Sequence, residues 1–278
     1  MVTRTSLPIA CKPFLKWPGG KVRMLPQLRQ MLPPGKCLVE PFMGSGAVFL
    51  NTEYPKYFLA DTNRDLVNLF EHIKQEGAAF IEFCRPWFAE SFNVEAVFYA
   101  MRELFNTTRD SRLRAALFLY LNKHCFNGLV RFNNKGYFNT PFGDFKRPYF
   151  PQKEMLFCQR HASLATFACQ DFTVTMKNAR AGDVVYCDPP YVPLSLTANF
   201  TKFTTVDFGP EQQHELARLA SFLADKKGIP VIISNHDTEF VNQAYRKAQL
   251  HKVSVRRSIS RDGATRGMAA EIVAVFAP

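Results

Sequence analysis

The sequence predicts an α/β fold with a doubly wound, mostly parallel sheet, and three observations carry that reading. Short apolar runs of strand length, CLVE (37–40), YFLAD (57–61), ATFAC (165–169), VVYC (184–187) and PVIIS (230–234), each end next to a polar or turn-forming residue. Stretches with helical spacing separate them, which suits crossover connections between parallel strands. The last two apolar segments, LHKVSVRRS and AAEIVAVF, flank the turn-like RDGATRG and read as an antiparallel hairpin at the sheet edge.

The first strand, residues 37–40, runs into EPFMGSG, whose Gly44 and Gly46 read as a tight turn before a helix. The second strand closes on Asp61. Beyond Asn63 the pattern changes: DLVNLFEHIKQ, VEAVFYAMRELFN and SRLRAALFLYLNK have helical periodicity, and HCFNGLVRFNNKGYFNTPFGDFKRPYF mixes Asn, Gly and aromatics. We read residues 64–150 as a helical insertion with one β-hairpin loop, between two parts of the α/β domain at 1–63 and 151–278. A helix over residues 211–227 precedes the strand at 230–234.

At 278 residues and 47 % hydrophobic content the chain can fill a sizeable core, which excludes disorder and fibres. No apolar run approaches a bilayer span, and MVTRTSLPIACKPF lacks the apolar core of a signal peptide, so a cytoplasmic protein is expected. Seven cysteines without a C-x-x-C pair read as reduced thiols, and six scattered histidines offer no metal-ligand spacing. The net charge of +11 is concentrated: residues 102–147 hold nine Lys/Arg against three acids, and residues 246–266 hold seven against Asp262 alone. Such blocks suggest a polyanionic partner.

The chemistry gathers around four motifs. A glycine turn after a strand lets a ligand approach the backbone, although Phe42-x-Gly44-x-Gly46 lacks the third glycine of the dinucleotide fingerprint. Asp61, 17 residues beyond Gly44, is placed to accept hydrogen bonds from ribose hydroxyls. In FLKWPGGK, Trp17 offers a ring to a sulfonium cation and Lys21 reaches a carboxylate. In CDPPY, two prolines stiffen a strand exit where Asp188 and Tyr191 protrude.

In the order FLKWPGGK, VEPFMGSG, NKHCFNGLVRFN and DPPY, the chain resembles the DNA adenine-N6 methyltransferases of the Dam family, the GATC-type members of the D12 class. The resemblance extends through ISNHDT (233–238) and VRRSIS (255–260). It implies a Rossmann-like methyltransferase sheet, an inserted target-recognition domain, double-stranded DNA as partner, and a monomer in the bacterial cytoplasm or encoded by a phage or plasmid. It implies S-adenosyl-L-methionine as cofactor, S-adenosyl-L-homocysteine as product, and no metal. By the same resemblance Trp17, Lys21, Glu40, Phe42, Gly44, Gly46, Asp61, Phe172 and Asp188 contact the cofactor.

On that resemblance Asp188 and Pro189 are expected to accept the two hydrogens of adenine N6, and Tyr191 to stack on a base flipped out of the duplex. The resemblance further implies that Phe126 wedges into the stack, that Asn127, Leu129 and Arg131 meet base edges, that Pro141 contacts DNA, and that Lys16 meets the first base pair of GATC. By the same resemblance Arg102, Lys123, Asn133, Asn139 and Lys146 are expected to meet phosphates. Phe132 and Phe138 are read as a small core under the loop.

Two departures stand out: Phe126 where the family often has tyrosine, and Asp144 where a basic residue would contact flanking DNA. Protein-glutamine and cytosine-N4 methyltransferases typically carry NPPY and SPPY, so Asp188 argues against them. The alternatives are the same chemistry on another DNA sequence or on RNA, and a DNA-binding homologue without catalysis.

Overall fold

The computed structural model describes residues 11–191, 208–256 and 268–278. Five strands run parallel: β1 (Cys37–Glu40), β2 (Tyr57–Asp61), β3 (Ala165–Cys169), β4 (Asp183–Cys187) and β5 (Val231–His236). Helices cover both sheet faces, so these strands have little polar face and stand out in the sequence as apolar runs. β6 (Gln249–Arg256) and β7 (Met268–Phe276) pair antiparallel. β7 lies beside β5 and β6 takes the edge, giving the order β3-β2-β1-β4-β5-β7-β6. The turn expected at RDGATRG and most of VRRSIS lie outside the described residues.

The helices are α1 (Leu25–Met31), α2 (Arg64–Glu76), α3 (Ala78–Cys84), α4 (Glu95–Thr107), α5 (Ser111–His124), α6 (Gln152–Ala162), α7 (Phe172–Lys177), α8 (Pro210–Lys227) and α9 (Glu239–Ala244). Their ends follow local chemistry. Asn63 caps α2 by accepting from the Asp65 and Leu66 amides, and Asp110 caps α5 in the same way. α8 opens on Pro210 and closes on Gly228 at φ 65°. Among the described residues no helix is long and apolar enough to cross a membrane.

One expectation about secondary structure fails. The segment after EPFMGSG forms only a single 3-10 turn, Phe49–Asn51, not an α-helix. Asn51 and Thr52 turn their side chains back onto the carbonyls of Ala47 and Val48, and Thr52 is already extended. Local side-chain bonds of this kind compete with helix propagation.

Alternate residues along each strand enter opposite layers. Val39, Val185 and Ile233 face Leu216, Leu219 and Leu223 of α8 and Met176 of α7. Leu38, Tyr186 and Ile232 belong to the other layer, with Leu66 and Phe70 of α2 and Met155 of α6. That second layer continues without a break into Phe98, Phe105, Phe118, Tyr120 and Phe138, so the helical segment shares the core of the sheet.

The topology reverses between β1 and β4, because the chain moves from β1 to β2 on one side while β4 pairs on the other. In open α/β sheets the crevice outside the carboxyl ends at such a point is the usual ligand position. Phe70 joins three parts of the core: its ring lies 5.0 Å from Phe14 and 5.3 Å from Phe167, beneath Gly46. Phe70→Ala is expected to cost about 3–5 kcal/mol in urea denaturation, a large share of a typical domain's stability.

Candidate active site

The carboxyl ends of β1 and β4 deliver Glu40 and Asp188 to the same crevice. Asp188 Oδ1 accepts two bonds, from the Lys21 ammonium at 2.8 Å and from Ser234 Oγ at 3.1 Å. The Lys21 side chain is 5 % exposed and also donates to the Gly19 carbonyl at 2.7 Å. Burial raises the pKa of Asp188, and the Lys21 charge opposes that rise. Pro189 is buried, and the Pro190 carbonyl accepts from Gln213 Nε2 at 3.0 Å.

Gln213 is itself held from behind. Its Oε1 accepts from Asn235 Nδ2 and from the Tyr245 hydroxyl, and all three side chains are essentially buried. Tyr191 donates its hydroxyl to Glu271 Oε2 at 2.9 Å. The Lys21 ammonium lies 4.5 Å over the Tyr191 ring, and the His236 ring meets it edge-on at 4.6 Å. The backbone and both polar side chains of DPPY are therefore fixed by four other elements.

At the end of β1, Glu40 is 2 % exposed and its Oε1 has no hydrogen-bond partner among the described residues. Burial, with the nearby Asp188 charge, pushes its pKa well up. Gly44 and Gly46 take φ 47° and 70°, which favours glycine. A Cβ on Gly44 would sit 3.0 Å from Trp17 Nε1, so the turn passes directly under the Trp17 ring.

Asp61 at the end of β2 fixes this turn: Oδ2 accepts from the Gly44 amide at 3.1 Å and Oδ1 from the Asn63 amide at 2.9 Å. Phe172, at the start of α7, stacks on Phe42 with ring centroids 5.4 Å apart, and Phe208 meets both edge-on.

A second cluster lies on the inserted segment. Antiparallel bridges Cys125↔Phe142 and Phe132↔Phe138 close a hairpin loop instead of extended strands. Phe126 at its base is 53 % exposed, and Asn127 beside it sits at φ 54°, a conformation asparagine tolerates better than most residues. Pro141, Arg131 and Lys146 are exposed, and Leu129 is half-buried. Phe138 is buried and packs with Phe132 and Phe105.

Several side chains have duties the sequence did not suggest. Asn133 accepts from the Lys135 and Tyr137 amides and shapes the hairpin tip, and Asn139 Oδ1 receives Arg131 Nε at 2.7 Å. Arg102 donates to the Thr140 carbonyl and lies 4.6 Å from the Tyr99 ring. Lys16 places its ammonium over Phe145, while its backbone is bracketed by the buried Asn122.

Lys123 departs most from expectation: it is 6 % exposed, and burial lowers its pKa to about 8. It does not stand on the open surface expected of a phosphate contact, because residues 115–124 of α5 are buried all round. Lys21 has a partner the sequence did not suggest, the Asp188 carboxylate.

The sequence reading did not single out Ser234, Tyr186, Gln213, Asn235, Glu271 or Asn122. Of these, Ser234 and Asn235 lie in ISNHDT and Asn122 opens NKHCFNGLVRFN, both stretches that carry the resemblance, and Glu271 is a single acid inside the apolar run AAEIVAVF.

The description "D12 class N6 adenine-specific DNA methyltransferase" fits residues 17–259. The chain belongs to that family. Its curated relatives include a DNA adenine methylase of Serratia marcescens, 49 % identical over 95 % of this chain and 97 % of that protein. Those of Escherichia coli (strain K12) and Salmonella typhi are 47 % and 48 % identical, each over 95 % of both chains.

An adenine-specific DNA methyltransferase needs a methyl donor, and the crevice suits S-adenosyl-L-methionine. The buried Glu40 Oε1, without a hydrogen-bond partner among the described residues, and the Asp61 carboxylate at the end of β2 are the groups that would accept from its ammonium and ribose hydroxyls, and the glycine turn under Trp17 leaves room for close approach. Gly44→Ala forces a side chain into the left-handed region and against Trp17. It is expected to retain the fold by circular dichroism while its affinity for S-adenosyl-L-homocysteine, read by calorimetry, falls about tenfold or more.

Proposed function

We propose that the protein transfers a methyl group from S-adenosyl-L-methionine to N6 of adenine in double-stranded DNA, at GATC, on a base flipped out of the helix. The observation that carries this reading is the arrangement at Asp188. One carboxylate oxygen is bound by Lys21 and Ser234, and the rigid Pro189-Pro190 pair follows immediately.

The lone pair of adenine N6 is delocalised into the ring, so the amine is a poor nucleophile. An N6 hydrogen donated to the Asp188 carboxylate and the other to the Pro189 carbonyl pull the nitrogen toward tetrahedral geometry and free its lone pair. Tyr191 stacks on the flipped base and keeps it in line. The bound cofactor supplies an electrophilic methyl on sulfur; as the N6–carbon bond forms the carbon–sulfur bond breaks, S-adenosyl-L-homocysteine leaves, and one of the two N6 protons is released to water. This chain supplies orientation and the electrostatics of the acceptor pair, so no covalent enzyme intermediate is needed.

For the target, the reading rests on the hairpin loop. Phe126 is exposed at its base and fills the gap left by the flipped adenine, while Asn127, Leu129, Arg131 and Pro141 read base edges and Lys16 meets the first base pair. Arg102, Asn133, Asn139 and Lys146 contact phosphates, the two asparagines through groups not used to shape the hairpin. Asp144, exposed and at φ 46°, repels phosphate and weakens hold on DNA flanking the site. We further propose that the enzyme acts as a monomer on DNA in the bacterial cytoplasm, and that residues 64–150 serve as its target-recognition domain.

Incubation with tritiated cofactor and duplexes differing only in a GATC site is expected to label the GATC duplex alone; equal labelling of both would remove the specificity claim. Asp188→Ala is expected to abolish transfer while duplex affinity stays within about twofold, because the carboxylate acts on the flipped base and not on the phosphates. Sustained turnover in that variant would show the N6 mechanism to be wrong.

A further inference from the structure

Behind Asp188 lie two buried hydroxyls. Tyr186 on β4 is 1 % exposed and Ser234 on β5 is fully buried. Their oxygens are 2.9 Å apart, and Ser234 Oγ lies 3.1 Å from Asp188 Oδ1. The pairing of Tyr186 with Ile232 sets this distance, because residues two apart on a strand share a face and Ser234 follows Ile232 by two.

The direction of the chain follows from the inventory of protons. An ionised carboxylate only accepts, and a serine hydroxyl has one proton to give. That proton goes to Asp188, so Tyr186 donates to Ser234. The Lys21 ammonium approaches the same oxygen, which leaves Oδ2 without a hydrogen bond among the described residues.

We propose that Tyr186 and Ser234 are positioning residues: their hydroxyl relay, together with Lys21, engages Oδ1 of Asp188 and turns Oδ2 toward the amino group to be methylated. The inference rests on the adenine-N6 reading above and adds to it the choice of carboxylate oxygen.

The relay has a consequence in pH. The groups facing Asp188 are Lys21, Glu40 on β1, Tyr186 and Cys187 on β4, Ser234 on β5, Tyr191, and Glu271 on β7. Burial raises the carboxyl pKa, while Lys21 and the Ser234 hydrogen bond hold it down. Removal of the Ser234 donor lets it rise further. Protonation, and with it loss of the acceptor, then begins at a higher pH.

The test is single-turnover methyl transfer by enzyme saturated with cofactor and a GATC duplex, across pH values from about 5 to 9. Ser234→Ala is expected to move the acid limb to higher pH and to slow transfer about tenfold at neutral pH, as loss of a hydrogen bond to a charged group would. Tyr186→Phe should move the limb in the same direction by less, and Ser234→Thr should restore it. Affinities for cofactor and duplex should stay within about twofold of the parent, since neither hydroxyl is assigned to binding.

A carbon-13 titration of the Asp188 carboxyl in DNA-free enzyme gives the same comparison without turnover. A parent enzyme that labels no adenine would count against the N6 reading, while the titration still reports on the relay. Should Ser234→Ala fail to fold, Tyr186→Phe, which deletes a single oxygen, carries the test. Folded variants whose acid limb and carboxyl titration match the parent would overturn the relay.

Discussion

The Lys21 ammonium lies 2.8 Å from Asp188 Oδ1, with the lysine side chain 5 % exposed and the aspartate side chain 21 % exposed. Neither group is cheap to remove from water alone, and loss of one partner of such a pair leaves the other charge uncompensated, at a cost of about 3–5 kcal/mol when fully buried. The partial exposure of Asp188 moderates that figure. The pair ties a segment that precedes the first strand to the exit of the fourth, across the point where the sheet reverses its topology.

Other contacts extend from this junction in both directions. Trp17 lies over Gly44, whose amide is held by Asp61. One residue earlier, the Lys16 backbone exchanges hydrogen bonds with Asn122 of α5, and Asn122 also donates to the Gly128 carbonyl in the hairpin loop. Residues 16–21 therefore touch the hairpin loop at one end and the candidate catalytic carboxylate at the other. On the far side, Gln213, Asn235 and Tyr245 fix the Pro190 carbonyl, and Glu271 holds Tyr191. The site is built from short polar contacts on a rigid sheet end, which keeps reorganisation small when a substrate arrives.

The strands were legible because parallel strands covered on both faces must be apolar throughout, so CLVE, YFLAD and VVYC stand out against their polar ends. The place of β7 between β5 and β6 was not, since pairing partners so distant in sequence leave no local pattern. EPFMGSG misled in one respect: its glycines do mark a tight turn, but the helix expected after it is cut short by the side chains of Asn51 and Thr52. Asp188, Tyr191 and the glycine turn were legible as motifs. Ser234, Tyr186 and Gln213 were not, because a serine, a tyrosine and a glutamine in ordinary strand and helix contexts gain their meaning only from what lies opposite. Lys123 shows the converse, a lysine near a helix end that reads as a surface charge until packing places it inside.

The claim that the Lys21–Asp188 pair organises the site is tested most directly by a double-mutant cycle on unfolding free energy, with Lys21→Met, Asp188→Asn and the combination measured in urea. The account expects each single change to destabilise and the pair to be less costly than their sum, with a coupling of about 1–3 kcal/mol. Losses that add to within about 0.5 kcal/mol would contradict it.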